Sequence, residues 1–386
     1  MTPGARVSAA IEILNAMADG LPAEQAMTRW ARSSRFAGSK DRAAVRDYVF
    51  DVLRQRRTAA HFGGGETGRA LMIGLLRAQG VDLGALFTGE GHAPQPLSEP
   101  EQTAADAPTD SATLWNLPDW VIPDFKDSLG DRAEAVALAL QSRAPITLRV
   151  NLAQSNPGSA AAQLADLGIE TRANPRAASA LTVVEGERKI RNSSLYLEGK
   201  VELQDASSQA IVAAIPKAGR VLDYCAGGGG KALAIAMYPD VEVFAHDIDP
   251  RRMNDLPARA ARAGCVIPQF ETDDLAAKAP FDVVLCDAPC SGSGAWRRSA
   301  EGKWTLTAAR LRELNAIQDS ILDAAADLTA PKGYLVYATC SVLSCENEDR
   351  AKAFLSRHPD WKSTFEQRFD VDEFGDGFYT THLMRV

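Results

Sequence analysis

The chain has 386 residues of ordinary globular composition, and a formal net charge of −8 that argues weakly against a polyanionic partner. That length gives room for two or three domains with full cores, and no apolar run reaches about 18 residues, so a membrane-spanning helix is not expected. Glu12 interrupts the only early apolar stretch, so no signal peptide is expected, and six cysteines between Cys225 and Cys345 suit a reducing cytoplasm better than a disulfide framework.

The charge is unevenly spread. Residues 1–77 carry 12 Lys and Arg against 7 Asp and Glu, and the remainder 30 against 43. Within Arg29–Arg57 nine basic residues meet three acidic ones. A local basic face of this kind is either a solvated helical surface or a site for phosphates.

The spacing of Val7, Ile11, Leu14 and Met17 predicts a first helix, stopped by Gly20; Pro22 opens a second. Asp41–Arg57 is a third, with Val45, Tyr48, Val49, Val52 and Leu53 inward, and Glu66–Gln79 a fourth. Residues 1–85 thus read as an all-α domain. Residues 86–113 hold four prolines, five acidic residues and no Lys or Arg, and read as an extended, mobile linker. Residues 114–198 read as a small α+β module, with a helix at Asp131–Gln141, a strand at Ile146–Val150, a helix at Ser159–Leu167 and strands at Leu181–Val184 and Leu195–Leu197. Residues 199–386 alternate strand and helix: strands Arg220–Tyr224, Val241–Ala245, Val266–Phe270, Phe281–Cys286 and Gly333–Tyr337, long helix Thr307–Leu328, and a last hairpin strand at Gly377–Arg385. That alternation predicts an α/β doubly wound sheet.

Ligands bind at the carboxyl ends of the strands in such a sheet. The glycine run Gly227–Gly230 follows the first strand, and Asp247 ends the second, where a carboxylate can accept ribose hydroxyls. The run fits a dinucleotide fingerprint. It fails a P-loop, because Cys225 replaces the first glycine and Ala232 the Ser or Thr. The glycines therefore predict a nucleoside cofactor without choosing between NAD and S-adenosylmethionine.

Two cysteine motifs choose. Asp287-Ala-Pro-Cys290-Ser-Gly-Ser-Gly294 and Tyr337-Ala-Thr-Cys340-Ser341 each follow an apolar strand, so two thiols and the Asp287 carboxylate converge on one cleft. Hydride transfer needs no cysteine pair. Methylation of a pyrimidine C5 does, because a thiolate must first add to C6 to make C5 nucleophilic, and a proton must later leave C5. A zinc site from Cys286, Cys290, Cys340 and Cys345 is disfavoured by its spacing, and no metal is expected.

These motifs resemble the RsmB/Sun (NOL1/NOP2/Sun) family of RNA cytosine-C5 methyltransferases. Gln204–Ser208, Glu346-Asn347-Glu348, Gly375–Phe378 and Leu148–Asn151 extend the resemblance, and residues 1–85 are similar to the NusB-like RNA-binding domain of bacterial members. The resemblance implies a Rossmann-like class I methyltransferase sheet behind the α+β module and the helical domain. It implies S-adenosylmethionine bound by Cys225, Ala226, Gly227, Gly228, Gly229, Gly230, Lys231, Asp247, Asp273 and Asp287, with Asp274 competing for the role of Asp273. Cys340 would be the nucleophile, Cys290 would assist release, and Asp287 would manage the base's N3 proton. Arg42, Arg46, Arg54, Arg56, Arg57, Arg297 and Arg298 are the expected RNA contacts. Ribosomal RNA, alone or in a ribosomal particle, is the expected substrate, with tRNA as the alternative. The cofactor loop departs from the family's Cys-Ala-Ala-Pro-Gly-Gly-Lys-Thr by gaining two glycines and losing the proline. That leaves open a non-catalytic RNA-binding assembly factor.

Overall fold

The computed structural model describes residues 1–103, 105–217 and 219–386; Ala104 in the expected linker and Ala218 in the expected catalytic domain lie outside the described residues. They are divided between two compact units. One comprises Met1–Pro123, Arg132–Arg143 and Trp296–Thr305; the other comprises Asp124–Asp131, Ala144–Ala295 and Leu306–Val386. The partition differs from the divisions expected at 113/114 and 198/199.

The first unit is helical. Its α1 (Pro3–Ala18), α2 (Ala23–Ser33), α3 (Ser39–Arg54), α4 (Arg56–Gly63) and α5 (Gly68–Ala78) bury Val7, Ile13, Trp30, Val45, Val49, Val52 and Leu75 in one core. The third expected helix breaks at Gln55, which leaves helical geometry (φ −122°, ψ 32°) and starts α4. Residues 296–305 complete this unit. Ala300 lies in its core, Trp304 packs on it, Trp304 Nε1 donates to Leu53 O at 2.7 Å, and Lys303 Nζ donates to Arg54 O at 2.7 Å. No local sequence pattern announces so distant a partner.

The expected linker is not an extended tether where it is described up to Thr103. Ser98 and Glu101 form a capping box on the turn Glu99–Gln102. Arg69 grips Glu101 with two bonds, at 2.7 and 2.9 Å. The Arg69 hydrogen bond does most to pull the Glu101 carboxyl down to about 2. Of the acidic residues that suggested a solvated tether, Glu101 serves a specific ion pair.

The second unit carries two sheets. The smaller is antiparallel, in the order β2-β3-β1-β4, built from β1 (Thr147–Val150), β2 (Glu170–Ala173), β3 (Ala180–Glu185) and β4 (Val201–Leu203). The strand expected at Leu195–Leu197 is instead a helical turn, Ser194–Leu197, capped by Ser193 Oγ. The larger sheet has β5 (Arg220–Asp223), β6 (Glu242–Ala245), β7 (Phe281–Asp287), β8 (Thr329–Thr339), β9 (Trp361–Phe369) and β10 (Phe378–Arg385), in the order β6-β5-β7-β8-β10-β9. β5 to β8 are parallel and β10 and β9 antiparallel. Val283, Val284, Leu285 and Cys286 are fully buried, as expected for a central parallel strand covered on both faces. The strand expected at Val266–Phe270 shrinks to one bridge between Ala245 and Gln269, because Pro268 has no N–H to extend the ladder. The chain order reverses between β5 and β7, the switch point at whose carboxyl edge ligands bind in such sheets.

Candidate active site

Both cysteine motifs leave adjacent parallel strands. Asp287 pairs with Ala338, and past this register Cys290 and Cys340 turn toward each other, their sulfurs 3.4 Å apart. The Cys290 thiol is pushed well above its ordinary value, first by its hydrogen bond with Cys340 and then by burial, so Cys290 keeps its proton. Lys231 Nζ lies near enough to Cys340 for that sulfur to help hold the ammonium.

Lys231 and Asp287 form the second feature. Nζ donates to Asp287 Oδ2 at 2.6 Å, and the lysine is buried. Burial pulls the ammonium down, but Asp287, Cys340 and Asp223 together outweigh it and hold it above its ordinary value. Phe378 covers it from 5.3 Å. Lys231, expected among the cofactor ligands, is thus paired with Asp287. Asp223, which the sequence reading passed over, ends β5 beside this pair. It is 1% exposed, and neither oxygen has a partner of good geometry among the described residues. Burial, reinforced by Asp287, raises its carboxyl to about 7.

The glycine loop joins β5 to the helix Gly230–Ile235. Gly227 and Gly229 adopt left-handed φ of 51° and 75°, and a Cβ on Gly229 would sit 2.3 Å from Leu256 Cδ1. At Gly229 the φ and the clash together require glycine. The loop between β5 and its helix and the Asp247 carboxylate suit a nucleoside cofactor. Asp247 itself is buried: it accepts from Gly227 N–H at 2.9 Å and pairs with Arg252 at 3.0 Å. The Cys225 thiol is pushed well above its usual value, by burial first and then by Cys286, and stays protonated. Asp273 is exposed on the turn Thr272–Asp274, and so is Asp274; neither is brought against the loop by any contact among the described residues.

Several motif residues hold this geometry. Glu346 is buried and accepts from Ser291 N at 2.8 Å and Gln318 Nε2 at 3.1 Å, fixing the turn after Cys290. Asn347 accepts from Thr339 Oγ1 at 2.5 Å and donates to Ser341 O at 3.0 Å, bracketing Cys340. Gly294 N donates to Cys340 O at 2.9 Å, and Gly377 N donates to Gly294 O at 2.9 Å; a side chain on Gly294 would strike the Gly377 backbone. Arg149 donates to Gly230 O at 2.9 Å, so the module before the catalytic strands steadies the cofactor loop. The Glu346-Asn347 motif was visible in sequence; its role was not, because the contact is long-range.

The expected RNA arginines disperse. Arg54 and Arg297 are buried, and Arg54 Nε donates to Arg297 O at 2.8 Å. They brace residues 296–305 and do not offer themselves to phosphates, which corrects that expectation for both. Arg46, Arg56 and Arg57 pair with Glu24, Glu66 and Asp119. Arg42 Nε donates to Ala37 O at 2.9 Å. Arg298 is exposed. Among the described residues no cluster of His, Cys, Asp or Glu is arranged to hold a metal, and no helix is long and apolar enough to cross a membrane.

The profile of the 16S rRNA methyltransferase RsmB/F family matches residues 210–383, and that of the RsmF/B-like ferredoxin-like domain matches residues 117–188. The "Ribosomal RNA small subunit methyltransferase B" of Xanthomonas campestris is 32% identical over 297 residues, 70% of this chain and 66% of the relative; the chain thus spans slightly under two thirds of that relative's length. The crystal structure of PH0851 superposes with a TM-score of 0.76 at 21% identity, covering 100% of this chain and 99% of its own. NSun6 from Pyrococcus horikoshii does so with 0.60 at 16%, covering 70% and 98%. At these identities the superpositions establish the fold: a class I Rossmann-like methyltransferase sheet with an N-terminal all-α unit.

Proposed function

The chain belongs to the RsmB/Sun family of S-adenosylmethionine-dependent RNA methyltransferases, and on that footing we propose that it converts cytosine to 5-methylcytosine in RNA, most specifically ribosomal RNA. The observation that carries the reading is the pair of sulfurs 3.4 Å apart beside the Lys231–Asp287 ion pair.

S-adenosylmethionine supplies the electrophilic methyl group, and Cys225–Lys231, Asp247 and Asp287 are the residues to hold it, with Asp273 as a further candidate. Cys340 is the nucleophile: its sulfur adds to C6 of the target base, which must leave its stack to reach the cleft. The added electron density makes C5 nucleophilic. Asp287, with the Lys231 ammonium 2.6 Å away as proton source, stabilises the base at N3 during addition. After methyl transfer a base, with water as the acceptor, takes the C5 proton, the C5–H pair forms the C5=C6 bond, and the C6–S pair returns to the Cys340 sulfur. Cys290 stands next to that bond and assists release. The helical residues 1–85 act as a NusB-like RNA-holding domain, and a ribosomal particle is the natural context for a ribosomal substrate.

The test incubates the protein with methyl-labelled S-adenosylmethionine and unmodified total RNA, beside Cys340→Ala. Label in 5-methylcytosine of ribosomal RNA, lost in the variant, is the expected result. Label in tRNA alone moves the substrate. No label, with no heat on titration of the cofactor, replaces the enzyme by a binding factor.

A further inference from the structure

Phe36 is 74% exposed, and it is the sole aromatic side chain among the described residues that stands so open to solvent. It sits in the connector between α2 and α3, inside Arg29–Lys40, a stretch with Arg29, Arg32, Arg35 and Lys40 and no acidic residue. All four cations are exposed, and none has an ion-pair partner among the described residues. The neighbouring carboxylates are already engaged: Glu24 with Arg46, and Asp41 with Arg6 and the N-terminal amine.

Three hydrogen bonds hold the connector. Ser34 N donates to Trp30 O at 2.9 Å, Ala37 N donates to Ser34 O at 3.0 Å, and Arg42 Nε closes the turn on Ala37 O. Ser34 and Ala37 are buried on either side of the exposed pair Arg35-Phe36, so the turn anchors itself inward and holds the ring outward. An apolar ring kept in water is unfavourable unless something covers it. A fixed aromatic face amid unpaired cations is complementary to one chemistry above others, an unpaired nucleotide stacked on the ring with its flanking phosphates on the cations.

We propose that Phe36, with Arg32, Arg35 and Lys40, is a single-strand RNA platform that engages an unpaired nucleotide of the substrate outside the catalytic cleft. The proposal rests on the RNA reading above and deepens it. It moves the RNA contacts of the helical unit from Arg46, Arg54, Arg56 and Arg57, which are paired or buried, to the end of α2, the connector and the start of α3.

The test uses the full chain with Phe36→Ala, and separately with Arg32→Gln plus Arg35→Gln. Binding of a short fluorescent single-stranded RNA of mixed sequence and of its duplex is measured over a salt series, alongside methyl transfer to unmodified ribosomal RNA. Loss of one stacked base lowers single-strand affinity from about fivefold to a hundredfold in Phe36→Ala, with duplex binding changed less. Removing two phosphate contacts flattens the salt slope by about 1.4. KM for RNA rises in both variants. An exposed ring leaves the melting temperature unchanged when removed, so misfolding does not mimic the effect. Single-strand affinity and KM within twofold of wild type in both variants overturn the platform while wild-type methyl transfer still stands. A wild-type protein that neither binds nor methylates RNA overturns the RNA reading itself.

Discussion

The Cys290 and Cys340 sulfurs are 3.4 Å apart although fifty residues separate them in the chain. They meet because β7 and β8 run parallel and adjacent, so both strands deliver their following loops to the same edge. With Cys290 held as a thiol, the two sulfurs are not equivalent, and the two alanine variants part company. Cys340→Ala forms no covalent RNA complex. Cys290→Ala forms the adduct and releases it slowly, so a denaturant-stable RNA–protein band accumulates with cofactor present. Equal bands in both variants would reverse or abolish the assignment.

The Lys231–Asp287 contact makes a second prediction. Asp287→Asn keeps the shape but loses the carboxylate and its charge partner, and methyl transfer falls by about 10²–10⁴. Lys231→Met falls as far, and the double variant little further, because the two act as one unit. Cofactor binding by calorimetry changes less than turnover in both. Additive losses in the double variant would show that they work separately.

Asp223 sets a pH dependence. Its carboxyl rises from 3.8 to about 7 on folding, mainly through burial. Between those values the native state keeps a proton that the unfolded chain has lost, so this residue's contribution to stability declines as pH rises from about 4 to 7 and stays low above. Asp223→Asn removes that penalty. In urea titrations the variant gains on wild type as pH rises toward 8, by at most a few kcal/mol at about 1.4 kcal/mol per unit. A difference independent of pH would mean that Asp223 titrates normally.

Truncation of residues 1–85 is not a clean removal of an RNA-binding module. It strips Leu53 O and Arg54 O from Trp304 and Lys303, and the helical core from Ala300. Burial, with Arg54 beside it, has already lowered the Lys303 ammonium to about 7. The truncated protein is expected to melt lower and to be cleaved by protease within residues 296–305, which stay protected in the full chain. Equal protection in both would show that this segment needs no helical partner.

The sequence by itself determined the parallel sheet, the cofactor loop and the cysteine pair, because each is written locally: apolar runs of strand length, a glycine run behind the first, and a thiol just past the ends of two others. The same locality misled where charge was read without partners. Arg54 and Arg297 looked like phosphate ligands and are buried braces, while Glu101 looked solvated and is ion-paired. Tertiary structure alone decided that Lys231 faces Asp287, that Glu346 holds the Cys290 turn, that Asp223 is sealed from solvent, and that residues 296–305 complete a helical core. Each of these depends on electrostatics and packing between residues far apart in the chain, and such terms have no periodicity for a sequence to display.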